Sequence, residues 1–372
     1  MVATPAGAVG QGGIDRAMAT LAAALSARPD ARFSVRFCAS RGGGPAVFSV
    51  FYLAAFCLRL VAARLRGRLD LVHVNLSQGG SVYRKLVIAA AARLLRVPYV
   101  LHLHVADFDL FWPPRGLLDR LLTWLFGGAA QIVVLGSVWR ERLVARLPAV
   151  AGRIAIVPNA SAPPALHHRG GEGLVHILFL GRIGARKGVP QLGDALFRLK
   201  GLENWRATIA GDGAVEEARR VAAQLGLVER VALPGWVGPE QVADLLASAD
   251  ILVLPSFAEG LPVSVVEGMG AGLAVVATPV GAVPDIIVDG QSGLLVPPGD
   301  VDALTAALAR LVGDPPLRQR LGAAARAVHR QRLEPAPVMA ALFGVWLAAV
   351  RPAPQPGPQR TPLEAAGAGG ER

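Results

Sequence analysis

Cysteine is scarce in this chain of 372 residues, where only Cys38 and Cys57 occur. Two cysteines are too few for a disulfide framework, and their spacing is not that of a metal site. Lysine is scarce as well, because the chain has only Lys85, Lys187 and Lys200 against thirty-five arginines. The place of each lysine is therefore informative, and Lys187 falls in a glycine-rich segment.

Several kinds of segment that would assign the chain to another class are also missing. The apolar run 47–58 is shorter than the about 20 residues that a transmembrane helix needs. Neither an aromatic RNA-binding strand nor a helix-turn-helix pattern occurs, which argues against a nucleic-acid partner. No signal peptide precedes the first predicted helix, and we expect a cytoplasmic protein.

Positive charge is concentrated in the first half of the chain. Residues 1–165 carry nineteen Arg or Lys and seven Asp or Glu, a net +12, whereas residues 166–372 carry a net −1. Basic surfaces attract phosphates of nucleic acid or of anionic lipid. The apolar run 47–58 precedes four arginines, so it is either a helix lying in a membrane interface or a buried core helix. These arginines are Arg59, Arg64, Arg66 and Arg68.

Length and patterning predict two α/β domains. The chain is longer than one core usually supports, and strand-like and helical runs alternate along both halves, as in doubly wound parallel sheets. We expect domains at 1–165 and 166–334, with a hinge near 160–172. The proline-rich and glycine-rich tail 351–372 is predicted to be disordered. The first strand is predicted to be very short, unless residues that would complete it precede Met1.

Two carboxylates flank a loop-to-helix junction in the second half. Glu259 lies in the loop after the apolar run 249–255, which has the composition of a strand buried in a parallel sheet. Pro262 favours the start of a helix, and Glu267 would lie about one and a half turns into it. A carboxylate can accept hydrogen bonds from two neighbouring hydroxyls, so this pair predicts a sugar-nucleotide site.

Two further glycine-rich loops follow strand-like runs in the same half. The first runs from Gly181 to Gly188 and contains Arg182 and Lys187, which supply positive charge for a phosphate. The second contains Gly211, Asp212 and Gly213. Since loops at the carboxyl edge of a parallel sheet converge, the three loops together predict one pocket.

The region from about Leu174 to Leu308 resembles the donor domain of a retaining family-4 glycosyltransferase with the GT-B fold. The resemblance rests on the order and spacing of motifs, and a looser version extends into the first half. It implies two Rossmann-like domains facing a central cleft, with a helix near 335–350 that crosses back to the first domain. The matching motifs are Gly181-Arg182 to Gly188, Gly211 to Gly213, Leu233 to Val237, Glu259-Gly260 to Glu267, Ala277 to Asp285 and Asp289 to Pro297.

The resemblance implies specific roles in donor binding. Arg182 and Lys187 would hold the donor diphosphate and neutralise charge as the nucleotide leaves. Glu267 would hold the ribose hydroxyls, and Glu259 would hold the transferred sugar. The amides of the two residues after Glu259 would help to hold that sugar, and one residue's backbone would face the base. These supporting residues are Gly260, Leu261 and Val237.

The first half contributes a glycine loop and a histidine by the same resemblance. Gly12 and Gly13 would close over the donor phosphates. His104, at the carboxyl end of a predicted strand, would contact the transferred sugar and counts with Arg182, Lys187 and Glu259 as catalytic. We interpret His102 as a structural residue.

The acceptor is expected in the turn after the strand 70–75. Ser77, Gln78 and Arg84 lie in or just after this glycine-rich turn. The family pattern continues with glycine after the histidine, whereas Val105, Ala106 and Asp107 follow here. We therefore include Asp107 as an acceptor-side candidate.

The predicted reaction is transfer of a glycosyl group from a UDP-type or GDP-type nucleotide sugar to a glycan or lipid-linked hydroxyl acceptor. The configuration would be retained, and neither a metal nor another cofactor would be needed, since no convincing Asp-x-Asp metal pair occurs. The setting would be cell-surface polysaccharide or lipid-linked glycan synthesis, in the cytoplasm or at the inner face of the plasma membrane, with peripheral membrane association. The alternatives are a sugar-nucleotide epimerase or a phosphorylase of the same architecture, and a non-catalytic nucleotide-sugar-binding protein at the membrane.

Overall fold

The computed structural model of the chain describes residues 1–5, 13–27, 30, 32–42, 45–163 and 173–350. The predicted site residue Gly12, most of the predicted hinge and the predicted disordered tail lie outside these residues. Within them, the chain forms two six-stranded sheets in which all strand pairs are parallel. The expectation of two doubly wound parallel sheets is confirmed.

The first sheet has the order β2-β1-β3-β4-β5-β6. Its first strand has only three residues, yet it pairs with a strand on each side. The strands are β1 (Val2–Thr4), β2 (Phe37–Ala39), β3 (Val72–Leu76), β4 (Tyr99–Leu103), β5 (Gln131–Val134) and β6 (Ile154–Ile156). The strand order reverses between β1 and β3, where an α/β sheet forms a crevice.

The second sheet has the order β9-β8-β7-β10-β11-β12 and reverses between β7 and β10. Its central strands are short apolar runs buried on both faces, as the sequence predicts for parallel strands covered by helices. The strands are β7 (Val175–Leu180), β8 (Trp205–Ala210), β9 (Val231–Gly235), β10 (Ile251–Leu254), β11 (Ala274–Ala277) and β12 (Leu294–Leu295).

Helices cover both faces of the two sheets. Those of the first half are α1 (Gly13–Ala27), α2 (Ser49–Leu65), α3 (Gly80–Leu94), α4 (Phe108–Phe111), α5 (Leu117–Gly127) and α6 (Ser137–Arg146). Those of the second half are α7 (Val189–Arg198), α8 (Val215–Gln224), α9 (Pro239–Ser248), α10 (Val263–Ala271), α11 (Val301–Gly313), α12 (Pro315–Val328) and α13 (Pro335–Val350). A π-helical turn, His329–Leu333, joins α12 to α13.

The last helix belongs to the core of the first half. Met339, Leu342 and Trp346 of α13 are buried with Val100 of β4 and Val133 of β5. By length and composition alone, the run Pro315–Val350 is apolar enough to cross a membrane. The packing of α13 on the first sheet gives a direct reason for much of that apolarity.

A glycine fixes how closely the loops after β7 and β10 approach each other. Gly188 precedes α7 in the left-handed region, with φ +72°. A Cβ atom there would lie 2.0 Å from the carbonyl oxygen of Pro255, which follows β10. Only glycine satisfies both the backbone conformation and this contact.

We expect Gly188→Ala to lower the free energy of unfolding by at least about 1–3 kcal/mol, the usual cost of a strained left-handed residue. The measurement is urea unfolding followed by circular dichroism. Gly152→Ala is the matched control, because Gly152 has an ordinary φ and, apart from its chain neighbours, none of the described residues has an atom within 4 Å of the place that its Cβ atom would take. Equal stability of the two variants would contradict this account of the contact.

Candidate functional site

The loops that leave β7 and β10 meet at the point where the strand order reverses. Lys187, in a short 3-10 turn after β7, places its Nζ atom 2.5 Å from Oε1 of Glu259, in the loop after β10. The two side chains are only 14% and 8% exposed. Arg186 joins the same loops, since its guanidinium donates to the Ala258 carbonyl and its own carbonyl accepts from Phe257. The predicted phosphate and sugar residues are thus brought together as a buried ion pair.

The loop after β8 packs backbone to backbone on the loop after β7. Gly211 has φ +153°, and a Cβ atom there would lie 1.8 Å from the Gly181 carbonyl oxygen. The Asp212 carbonyl accepts from the Ile183 amide at 2.6 Å. Gly213 also has positive φ, and Arg182 and Asp212 are exposed. The third predicted loop therefore contributes to this region through its backbone.

The loop after β11 supports the backbone around Glu259. Gly281 has φ +58°, and a Cβ atom there would lie 2.1 Å from the Glu259 carbonyl oxygen. The Ala282 amide donates to the Gly260 carbonyl at 2.8 Å, and the Thr278 hydroxyl donates to the Ser256 carbonyl at 2.5 Å. The motif 277–285 thus holds the Glu259 loop in place. Val237, the predicted base contact, is half-buried just after β9.

Helix α10 carries the second carboxylate into the seam between the two halves. Pro262 precedes its first residue in an extended conformation. Glu267 accepts from Nη2 of Arg16, on α1, at 2.6 Å through Oε1. Its Oε2 atom is buried and has no hydrogen-bond partner among the described residues. Burial raises the pKa of Glu267, and the positive charge of Arg16 acts in the opposite direction.

Segments at the carboxyl ends of the strands join the two halves. Asn159, after β6, donates from Nδ2 to the Leu261 carbonyl at 2.7 Å. Ser137, after β5, donates from its amide and its hydroxyl to the two carboxylate oxygens of Asp285, at 2.5 and 2.6 Å. A Cβ atom on Gly260 would lie 2.9 Å from the Val105 carbonyl oxygen, after β4. The carboxyl edges of the two sheets therefore face each other. The loops after β7, β8 and β10 lie between them.

Three histidines of the first sheet, His73, His102 and His104, lie in contact near the junction of the two halves. His104 follows β4 directly, and its ring centre is 4.0 Å from that of His102. His102 faces His73 of β3, with 3.3 Å between Nδ1 and Nε2. Trp346 of α13 donates from Nε1 to Nδ1 of His73 at 3.0 Å. Helix α13 thus contacts β3 and β4, whose carboxyl ends approach the loops of the second half.

These contacts fix the tautomers of the neutral rings. Asn75 donates from Nδ2 to the Ala3 carbonyl, so its Oδ1 atom accepts from Nε2 of His104 at 3.0 Å. His104 therefore keeps Nδ1 as its acceptor. His73 accepts at Nδ1 and so donates from Nε2 to His102, in agreement with our structural interpretation of His102.

Burial lowers the pKa of all three rings. The pKa of His104 falls to about 3 through desolvation, and that of His73 falls to about 3 through desolvation and the proximity of His104. Desolvation also places the pKa of His102 well below its ordinary value. His104 is consequently a neutral hydrogen-bonding group and not an acid near neutral pH.

The remaining candidates belong to turns and helix ends of the first half. Gly13 is the exposed first residue of α1. Ser77 and Gln78 lie in the turn between β3 and α3, where the Ser77 amide donates to the Ser81 hydroxyl. Asp107 is exposed and caps α4 by accepting from the Leu110 amide at 3.0 Å. This cap gives Asp107 a local structural role that its sequence context did not predict.

Arg16, Asn75 and Trp346 were not identified from the sequence. Arg16 had one usable signal, its position three residues after Gly13 of the predicted glycine loop. Asn75 is a polar residue inside an apolar strand, and such a residue needs a partner. Nothing local to Trp346 indicated that it contacts His73, which lies 273 residues away.

Comparison with known proteins agrees with this architecture. Residues 169–328 match the family described as Glycosyl transferases group 1, and residues 12–160 match the Glycosyl transferase 4-like domain. The 2-deoxystreptamine glucosyltransferase of Streptomyces kanamyceticus is 31% identical over 287 residues, which are 71% of this chain and 73% of that protein.

Two solved structures show the same fold. Anabaena HepE in complex with UDP and glucose superposes with a TM-score of 0.74 at 18% identity, over 93% of this chain and 98% of HepE. A glycosyltransferase from Rickettsia africae gives a TM-score of 0.75 at 15% identity, over 95% and 98% of the two chains. The chain belongs to the family-4 glycosyltransferases with the GT-B fold, and its activity is sugar transfer from a nucleotide sugar. The epimerase and binding-protein alternatives are not favoured.

The histidine contacts predict a loss of stability in mild acid. Histidines in the unfolded chain take up protons below about pH 6.5, whereas His73 and His104 remain neutral in the folded chain down to about pH 3. The unfolded state therefore binds more protons in this window, and the free energy of unfolding should fall as pH falls from about 6.5 towards 3.

Urea unfolding midpoints at about pH 7.5, 6.5 and 5.5 measure this effect. The matched variant is His102→Gln, which removes one buried ring that does not protonate and should flatten the pH dependence. Midpoints that do not change with pH, or an equal slope in the variant, would contradict the neutral assignment.

Proposed function

We propose that the chain is a retaining glycosyltransferase that uses a UDP-type or GDP-type sugar, needs no metal or other cofactor, and serves polysaccharide or lipid-linked glycan assembly. The observation that carries the donor-site assignment is Glu267, whose Oε2 atom is buried without a hydrogen-bond partner among the described residues. A buried acceptor left unpaired is costly unless a ligand supplies the donor. Ribose hydroxyls supply such donors.

The buried ion pair would open when the donor binds. Lys187 would transfer its hydrogen bond from Glu259 to the diphosphate, and Arg182 lies exposed on the same loop to add charge. Glu259 would then be free to accept from hydroxyls of the transferred sugar. The exchange keeps Lys187 paired with an anion before and after binding, and sugar hydroxyls would replace the ammonium as hydrogen-bond donors to Glu259.

Leaving-group stabilisation would therefore be electrostatic. Positive charge placed in advance beside the departing diphosphate lowers the barrier without reorganisation at the moment of reaction. His104, neutral and with Nδ1 as its acceptor, would accept a hydrogen bond from a hydroxyl of the transferred sugar. It would orient the sugar and would not protonate it.

Local contacts of the Asp107–Asp109 pair support the metal-free proposal. Asp107 caps α4, and Asp109 lies 3.0 Å from Arg142. The positive charge needed at the diphosphate would come from Lys187 and Arg182.

The cytoplasmic face of the membrane is the proposed location. Nucleotide sugars are made in the cytoplasm, and the net +12 of residues 1–165 suits an anionic surface. HepE, which shares the fold, was solved with UDP and glucose, and this supports a UDP-type donor as the first candidate.

Glu267→Gln should weaken binding of UDP or GDP by about tenfold or more, because an uncharged amide oxygen is a weaker acceptor than a carboxylate oxygen, and the amide NH2 group would face either the ribose or Arg16, which are both donors. Isothermal titration calorimetry in EDTA measures the affinity and tests metal independence at the same time. Glu229→Gln is the matched control, because Glu229 is exposed and precedes β9 at the opposite edge of the sheet. Unchanged affinity in Glu267→Gln would remove Glu267 from the ribose site.

Lys187→Met should reduce turnover at saturating donor by at least about a hundredfold, since it removes the charge placed at the leaving diphosphate. Release of the nucleoside diphosphate from the donor measures turnover. Lys200→Met is the control, since Lys200 is the other lysine of the second half and lies exposed before β8. Equal rates in both variants would contradict the proposed role of Lys187.

A further inference from the structure

Three basic side chains gather at the carboxyl edge of the first sheet, beside its strand-order reversal. Arg41 lies just after β2, where its amide donates to the Pro5 carbonyl at 2.8 Å. Arg84 and Lys85 lie in α3, which follows β3. Lys85 donates from Nζ to the hydroxyl of Ser40, and Ser40 donates to the Thr4 carbonyl at 2.8 Å. Lys85 is only 1% exposed.

The cluster Arg41, Arg84 and Lys85 has more positive than negative charge. Burial and the like charge of Arg84 lower the pKa of Lys85 to about 7, and burial and Arg41 lower the pKa of Arg84. Asp15, at the start of α1, is the carboxylate that acts on Lys85 in the opposite sense. Among the described residues, Arg84 and Lys85 thus each lie close to a like charge, and an anionic ligand would relieve the repulsion.

Arg84 also has an unsatisfied donor. Its Nε atom is buried and has no hydrogen-bond partner among the described residues. Its Nη1 atom lies 3.3 Å from the point where a Cβ atom of Gly80 would be. The guanidinium therefore lies over the amino terminus of the 15-residue helix α3, whose dipole favours an anion.

An exposed apolar surface begins next to this cluster. The Tyr52 ring lies against Gly42, the residue after Arg41, at 2.2 Å from the point where a Cβ atom would be. Four apolar residues before Tyr52 are exposed. Their exposures are 70% for Val47, 50% for Phe48, 65% for Val50 and 70% for Phe51.

The apolar surface continues along the outer face of α2. Phe51, Leu58 and Leu65 are seven residues apart, which places them on one face, and they are 70%, 71% and 80% exposed. Arg59 and Arg64 flank this face, and no acidic residue lies between Asp30 and Asp70. The sequence left open whether this segment is a core helix, and its outer face is not part of the core.

We propose that the acceptor is a lipid that carries a phosphate group, with the phosphate on Arg41 and Arg84 of this cluster and the bilayer against the outer face of α2. This proposal rests on the proposed transferase function and names the class of its acceptor. A phosphate satisfies the excess charge and the free Arg84 donor. The apolar outer face with flanking arginines fits an anionic bilayer surface.

The test is vesicle co-sedimentation with two sets of anionic vesicles that carry equal charge. One set is phosphatidylcholine with phosphatidic acid, and the other is phosphatidylcholine with oleate. The site variant is Arg41→Gln with Arg84→Gln, and the control is Arg115→Gln with Arg120→Gln, two exposed arginines of the same half. We expect tighter binding to phosphatidic acid than to oleate, and a loss of about thirtyfold in the site variant that exceeds the loss in the control.

Two further experiments test the apolar face of α2 and the phosphate site separately. Phe51→Ser with Leu58→Ser should weaken binding to both sets of vesicles, and calorimetry with glycerol 3-phosphate should show binding that only the site variant loses. Equal binding to both vesicle sets, or equal loss in site and control variants, would overturn the phosphate site. Binding of glycerol 3-phosphate without vesicle binding would overturn the lipid acceptor.

Every variant is also titrated with UDP or GDP. This titration distinguishes failure of the acceptor proposal from failure of the proposed transferase function. Retained nucleotide binding in the site variant shows that the donor domain is intact, so that a negative vesicle result counts against the acceptor proposal alone. Absence of nucleotide binding in the unmodified protein would instead count against the donor assignment.

Discussion

A buried ion pair between loops of adjacent strands organises the second half of this molecule. Lys187 and Glu259 lie where the order of the second sheet reverses, and both are nearly out of solvent. Burying opposite charges is costly unless each is well paired. Close backbone packing at Gly188 and Gly281 holds the two loops at the distance that makes the pair possible. A ligand that replaces one partner must therefore bring its own charge, which a nucleoside diphosphate does.

The second carboxylate, Glu267, would link the proposed donor binding to the contact between the two halves. Glu267 already holds Arg16 of the first half through one oxygen, while the other oxygen is buried and free among the described residues. A ribose bound at the free oxygen would leave the Arg16 contact in place. Together with the Ser137–Asp285 contact, this arrangement would join occupancy of the proposed donor site to the position of the first half.

Sequence patterns were sufficient for the fold and for the strand-to-helix loops. Buried parallel strands are short apolar runs, and glycines mark places where backbones touch, so the convergence of the Gly181, Gly211 and Glu259 loops could be predicted. The pairing of Lys187 with Glu259 was not predicted, because each had been assigned to a ligand group. A sequence motif indicates what a residue binds in a complex and does not indicate its partner before the ligand arrives.

Contacts between segments that are distant in the sequence account for most of the site features that the sequence did not predict. The Arg16–Glu267 pair spans 251 residues, and the Trp346–His73 contact spans 273. Neither follows from local periodicity, since both depend on how two domains and a returning helix pack. The exposed outer face of α2 was also ambiguous in sequence, because a helix that is apolar on two faces has the composition of a core helix.

The most direct test of the central claim is a crystal structure of the protein with UDP, or with GDP if calorimetry selects it. The account predicts ribose hydroxyls on Oε2 of Glu267 and Nζ of Lys187 on the diphosphate, with its hydrogen bond to Glu259 broken. A nucleotide bound elsewhere, or one that leaves the Lys187–Glu259 pair intact, would contradict it.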